Sequence, residues 1–341
     1  MRKTVMSLMG PLFFWLLLIG PGLLSAQERT YAEMRGEVVD LYNQERFEEA
    51  AHILKEALDV YPDHIMANCV NLALMNVRLG NAEAGLEALG YGLDHGIWYG
   101  KYTFLDPTWE VLKEDPGWAE LETRNAEAWS EASLQVEPRL EVTLPPDYDP
   151  DRRYPLFLAF HGGGENVDLF MPNWTSPSLS EDFIVAFPQS TQLVAMDGYN
   201  WTEDVNVSMA EIHEAYQQVV GAYSVDEDRV IVGGFSSGGV ASLEVVLRDI
   251  FPVRGFVALC PAMPDGFTLE AVEAAAGRGV RGTLLTTEMD GRVDQQRRMA
   301  DIMEEGGLPH EFQITPNIGH WYPDDLGERI DRALVDILGA G

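Results

Sequence analysis

Cysteine is nearly missing from this chain: Cys69 and Cys260 are the only two among 341 residues. That count excludes a scaffold stapled by several disulfides, and each thiol reads as a small buried apolar group. No Cys/His cluster has the spacing of zinc ligands, so no metal is expected. Positive charge is scarce too. There are 23 Lys and Arg against 55 Asp and Glu, for a formal net charge of −32. Such a surface repels phosphate backbones, which removes nucleic acid from the expected partners. The acid is spread along the chain, as on a solvated surface, rather than gathered in a tail. Past residue 26 no apolar run is long enough to span a membrane. What is present is an ordinary apolar fraction of 46%, at a length that suits two domains.

The first 26 residues have the layout of a signal peptide. Met1-Arg2-Lys3 is a basic start, and Leu12 to Ile19 is an apolar stretch of the right length. Gly20-Pro21-Gly22 breaks it, and Leu24-Ser25-Ala26 offers a cleavage site before Gln27. Leu24 is larger than is usual there, which leaves a retained anchor open. The expectation is export, to a secreted or periplasmic location.

Residues 27–134 read as helical. Residues 45–58 are amphipathic, and a second copy starts near Gly80. The offset is close to the tetratricopeptide period, and Ala50, Ala57, Ala84 and Ala88 suit close helix packing. The segment resembles tetratricopeptide repeats. Residues 104–118, with Trp109 and Trp118, are expected to cap the stack. Two readings follow. The helices either pack on the rest of the chain, which we favour, or form a groove for a protein partner.

From residue 135 the pattern changes. Apolar runs at 140–144, 156–160, 183–187, 229–233, 255–259, 283–287 and 311–315 read as strands. Helical stretches at 208–223, 239–247, 294–305 and 325–338 fall between them. Alternation of this kind predicts an α/β domain: a mostly parallel sheet with helices on both faces.

Gly234-Phe235-Ser236-Ser237-Gly238 lies between such a strand and such a helix. G-x-S-x-G in that setting is a nucleophile elbow, whose sharp turn needs glycine on either side of the serine. A serine hydroxyl needs a base, an orienter for that base, and donors for the oxyanion. His320, after the last strand, is the base, because elbow enzymes follow the chain order Ser, acid, His. His310 begins the last strand and is committed to the sheet. Asp290, after the strand at 283–287, is the acid. Its rivals are Glu288 and Asp294, the latter read as a helix N-cap. His161-Gly162-Gly163-Gly164 follows the strand at 156–160 and offers oxyanion donors from Gly162 or Gly163, with a second from the N–H of Ser237.

Residues from about 137 onward resemble the α/β-hydrolase superfamily, within it the phospholipase/carboxylesterase and feruloyl-esterase/depolymerase groups. The residues that carry the likeness are Tyr154-Pro155-Leu156, His161 to Gly164, Asn200-Trp201, Tyr223 to Val230, Gly234 to Gly239, Glu288-Met289-Asp290 and Gly319 to Pro323. Ser237 departs from the Ala, Gln or Asn often found in such elbows. The resemblance implies carboxylic ester hydrolysis through Ser236, Asp290 and His320, a small-molecule or polymer-linked ester as substrate, and no cofactor. Trp321 and Trp201 are expected to wall the pocket, with Met196, Phe170 and Trp174 as further candidates; Arg292 could pair with an acidic substrate group. A serine peptidase and a repeat-based binding protein are the alternatives.

Overall fold

The computed structural model describes residues 29–339, so the expected leader lies outside the described residues. Among them no helix is long and apolar enough to cross a membrane.

Four helices come first: α1 (Tyr31–Asn43), α2 (Phe47–Val60), α3 (Ile65–Arg78) and α4 (Ala82–Asp94). Thr30 and Glu33 start α1 with a capping box, which satisfies otherwise free N–H groups. α3 begins at 65 against 31 for α1, and α4 at 82 against 47 for α2, so one helix pair recurs at a near-constant interval. Ala50 and Ala57 are buried where helices approach closely, around Leu54, Cys69 and Leu89. The short α5 (Glu110–Lys113) and the long α6 (Trp118–Ser133) follow. Phe104 meets Trp109 and Trp118 edge-on, with ring centroids 5.5 and 5.1 Å away, and these rings close the end of the helical core.

The sheet segment begins with β1 (Arg139–Thr143) and β2 (Tyr154–Phe160). Then come α7 (Val167–Phe170), α8 (Pro177–Asp182), β3 (Ile184–Gln189), β4 (Leu193–Ala195), β5 (Gly198–Tyr199) and α9 (Val205–Ala222). The chain continues through β6 (Val225–Phe235), α10 (Ser237–Leu247), β7 (Gly255–Leu259) and α11 (Leu269–Gly277). It ends with β8 (Arg281–Thr287), α12 (Val293–Glu305), β9 (His310–Thr315) and α13 (Leu326–Leu338). The seven-stranded sheet runs β1-β3-β2-β6-β7-β8-β9. Only β1 is antiparallel to its neighbour.

Every residue of β2 is buried, as a central parallel strand covered on both faces must be. Its side chains alternate between the layers. Leu156, Leu158 and Phe160 enter one core with Ile212 and Val245, while Phe157 and Ala159 enter the other with Ile330 and Ile337. The parallel strands β2, β6, β8 and β9 end on the same side of the sheet, and there the chemically interesting loops gather.

The small hairpin β4–β5 was not expected from the sequence. The helical segment docks on it: the Lys101 N–H donates to Val194 O at 2.9 Å and the Trp129 indole donates to Leu193 O at 2.9 Å.

Candidate active site

Ser236 follows β6 directly and opens α10. Its φ of 54° and ψ of −113° are strained for a residue with a side chain, which costs about 1–3 kcal/mol unless the surroundings impose it. They do. The Ser236 N–H is pinned to Leu259 O at 2.8 Å. A methyl group on Gly238 would lie 2.6 Å from His161 O and would collide with Phe160 O, and one on Gly234 would lie 2.6 Å from the Gly238 carbonyl carbon. Both glycines are therefore required by backbone packed against backbone.

His320 Nε2 is 2.8 Å from Ser236 Oγ. Its Nδ1 is 3.0 Å from Asp290 Oδ2. An ionised carboxylate only accepts, so Nδ1 carries the proton and Nε2 is left free to accept from the serine hydroxyl. Asp290 is 3% exposed. It also accepts from the Arg292 N–H at 2.9 Å and from Gln296 Nε2 at 3.2 Å. Burial alone would raise its carboxyl, but the bonds from His320, Arg292 and Gln296 outweigh that and hold it below the ordinary 3.8. The rivals lie elsewhere. Glu288 is exposed and accepts the Asn317 N–H at 3.0 Å. Asp294 is not the N-cap expected of it. That position is Arg292, and Asp294 lies in the first turn of α12, where its charge favours the helix dipole. His310 does begin β9, with Nδ1 2.9 Å from Leu308 O.

Cys260 follows β7 and lies within 4.8 Å of Asp290 and His320, a grouping with ligand-type atoms. Burial pushes its thiol up to about 12. Asp290 and His320 hold each other, and Cys260 Sγ lies 3.6 Å from Thr287 Oγ1, so each member of the trio already has a partner within the protein. Both cysteines are buried and free.

His161 is buried and neutral, with desolvation lowering its pKa to about 4. Its Nδ1 lies 2.8 Å from Gly162 O, and its Nε2 accepts the Ser190 N–H at 3.2 Å. These bonds set the course of the glycine loop. The Gly162 N–H, one of the expected oxyanion donors, is taken: it donates to Glu165 Oε2 at 2.8 Å. The Gly163 N–H has no acceptor among the described residues, and Gly163 lines the same cleft as Ser236 and Ser237. Burial raises the Glu165 carboxyl above its ordinary value. Glu165 also accepts from the Tyr322 hydroxyl at 3.0 Å, which ties the glycine loop to the loop that carries His320. Phe235 fills the space between, with ring centroids 5.0 Å from His320 and 4.3 Å from Tyr322.

The cleft over Ser236 has a volume of about 320 Å³. It is lined by Tyr102, Asn200, Thr202, Ser237 and Arg292 together with Val240 and Ala262. The expected tryptophan walls are not there. Trp201 is 1% exposed and points into the core, against Phe160 and His161 at 5.6 and 5.0 Å. Its neighbours Asn200 and Thr202 line the cleft instead. Trp321 is 59% exposed and does not line the cleft. Phe170 and Trp174 belong to the core under the sheet, and Met196 is exposed on the β4–β5 turn.

Four residues that matter here escaped sequence reasoning. Glu165 stands next to the glycines yet carries no motif of its own. Tyr322 and Gln296 look like any core polar residue. Tyr102 comes from the helical segment, with nothing in the sequence to connect it to residues about a hundred positions later.

The architecture is that of the α/β hydrolases: a mostly parallel sheet, a serine at a strained strand-to-helix turn, and acid and histidine on later strand ends. No family model matches the chain, and no curated protein matches it. Among solved structures, the chain is similar to an uncharacterized protein from Bacillus cereus ATCC 10987, at 23% identity and a TM-score of 0.52, over 92% of this chain and 100% of the other. That likeness spans the helices as well as the sheet. The chain is also similar to a ferulic acid esterase, at 14% identity and a TM-score of 0.51, over 60% of this chain and 95% of that one.

Proposed function

We propose that the chain is a serine hydrolase of carboxylic esters. The observation that carries this reading is the line from Ser236 Oγ through His320 to Asp290, at 2.8 and 3.0 Å. Ser236 attacks the ester carbonyl while His320 takes its proton, and Asp290 steadies the imidazolium. The Gly163 and Ser237 N–H groups stabilise the oxyanion. His320 then hands its proton to the departing alcohol. Water, deprotonated in turn by His320, cleaves the acyl-enzyme and frees Ser236. No step calls on a cofactor.

The remaining parts of the proposal concern the whole chain. Residues 1–26 direct export, residues 27–134 form a tetratricopeptide-like helical domain, and residues 135–341 form the catalytic domain. The near-constant interval between helix pairs supports the second part, since such repeats run to about 34 residues.

The test is hydrolysis of p-nitrophenyl acetate together with labelling by a fluorophosphonate probe. The expected result is that wild type is labelled and active, and that S236A loses the label and at least about 10³-fold in rate. Unchanged turnover in S236A would refute the assignment.

A further inference from the structure

We propose that Tyr102 is a specificity-determining residue: through it the helical segment closes the substrate cleft, and the site takes short acyl groups and turns away long alkyl chains. This rests on the esterase reading above.

Tyr102 lines the cleft over Ser236, although it belongs to the loop between α4 and α5. Its hydroxyl donates to Glu203 Oε1 at 2.8 Å and accepts from Asn200 Nδ2 at 3.0 Å. Asn200 is 4% exposed and is itself held, its Oδ1 accepting the Trp201 N–H at 2.9 Å. Lys101 forms an ion pair with the same Glu203. Gly100 packs so closely on β4 that an added methyl would lie 3.0 Å from Ala195 Cα. The ring is thus held at its tip, and the backbone just before it is held against β4. A wall held this way cannot swing aside without breaking several hydrogen bonds.

The size of the cleft agrees. At about 320 Å³ it is a bounded space over Ser236, and a ring that stays in place sets the length of the acyl group it can take.

The experiment measures kcat/KM for the p-nitrophenyl esters of acetate, butyrate and octanoate, using the full chain. Y102A is expected to raise the octanoate-to-acetate ratio by roughly tenfold or more, the scale on which single groups are discriminated in a pocket. Y102W is expected to lower the butyrate-to-acetate ratio. Ratios that match wild type in both variants would overturn the proposal. Should Y102A fail to fold, Y102W decides alone. Fluorophosphonate labelling separates the two readings. A wild type that is neither labelled nor active sinks the esterase assignment and this proposal with it. Labelled, active variants with unmoved ratios sink only the role of Tyr102.

Discussion

Glu165 accepts the N–H of Gly162 at 2.8 Å, next to a glycine that lines the cleft of the nucleophile. That bond commits one donor of the glycine loop, while the next, on Gly163, has no acceptor among the described residues. The same carboxylate is bound by the Tyr322 hydroxyl, and the charge of His320 acts on it. E165Q keeps an acceptor for Gly162 but removes the charge. E165Q should therefore keep most of its kcat, whereas E165A should lose at least about tenfold as the loop relaxes. Equal losses of kcat in the two variants would show that the bond to Gly162 is not what matters.

Buried His161 gives stability a defined pH dependence. Its folded pKa is about 4, below the ordinary 6.5. Between those values the unfolded chain binds a proton that the native state does not. Stability therefore falls as pH drops from 6.5 toward 4, and the loss from this group is complete below the folded value. The gap corresponds to about 3 kcal/mol. Urea melts at a series of pH values should show this slope, on top of the general response of the carboxylates. H161Q should be less stable at neutral pH and flatter across the window; a slope equal to that of wild type would assign it to other groups.

The elbow glycines should separate sharply from a glycine on a helix surface. G238A pushes a methyl into the backbone of Phe160 and His161 and should cost on the order of 3 kcal/mol or more. Gly221, in α9, has nothing within 4 Å of an added methyl. G221A should be neutral or stabilise by about 0.5 kcal/mol, through the unfolded chain. Equal melting temperatures for the two variants would contradict the packing described at the turn.

The sequence carried the sheet well because the parallel strands are buried on both faces and read as continuous apolar runs. β2 is the plainest example, and the runs around 231, 257 and 285 behave likewise. Ser236, Asp290 and His320 could be picked out as candidates because each lies just past the end of a strand, and strand ends are legible. The β4–β5 hairpin was invisible: a three-residue strand paired with a two-residue one has no period to detect. Trp201 was misread because composition says that an aromatic seeks apolar surroundings, without saying on which side of the chain they lie. Tyr102 was missed for a different reason. Its place in the cleft depends on how two separately packed segments dock, through bonds such as Lys101 to Val194 that no local pattern encodes.

The strained backbone at Ser236 ties reactivity to the stiffness of the layers beneath it. Phe160 and Leu259 hold that turn in a shape it would not choose alone. Changes deep in the sheet can therefore silence the hydroxyl without coming near it.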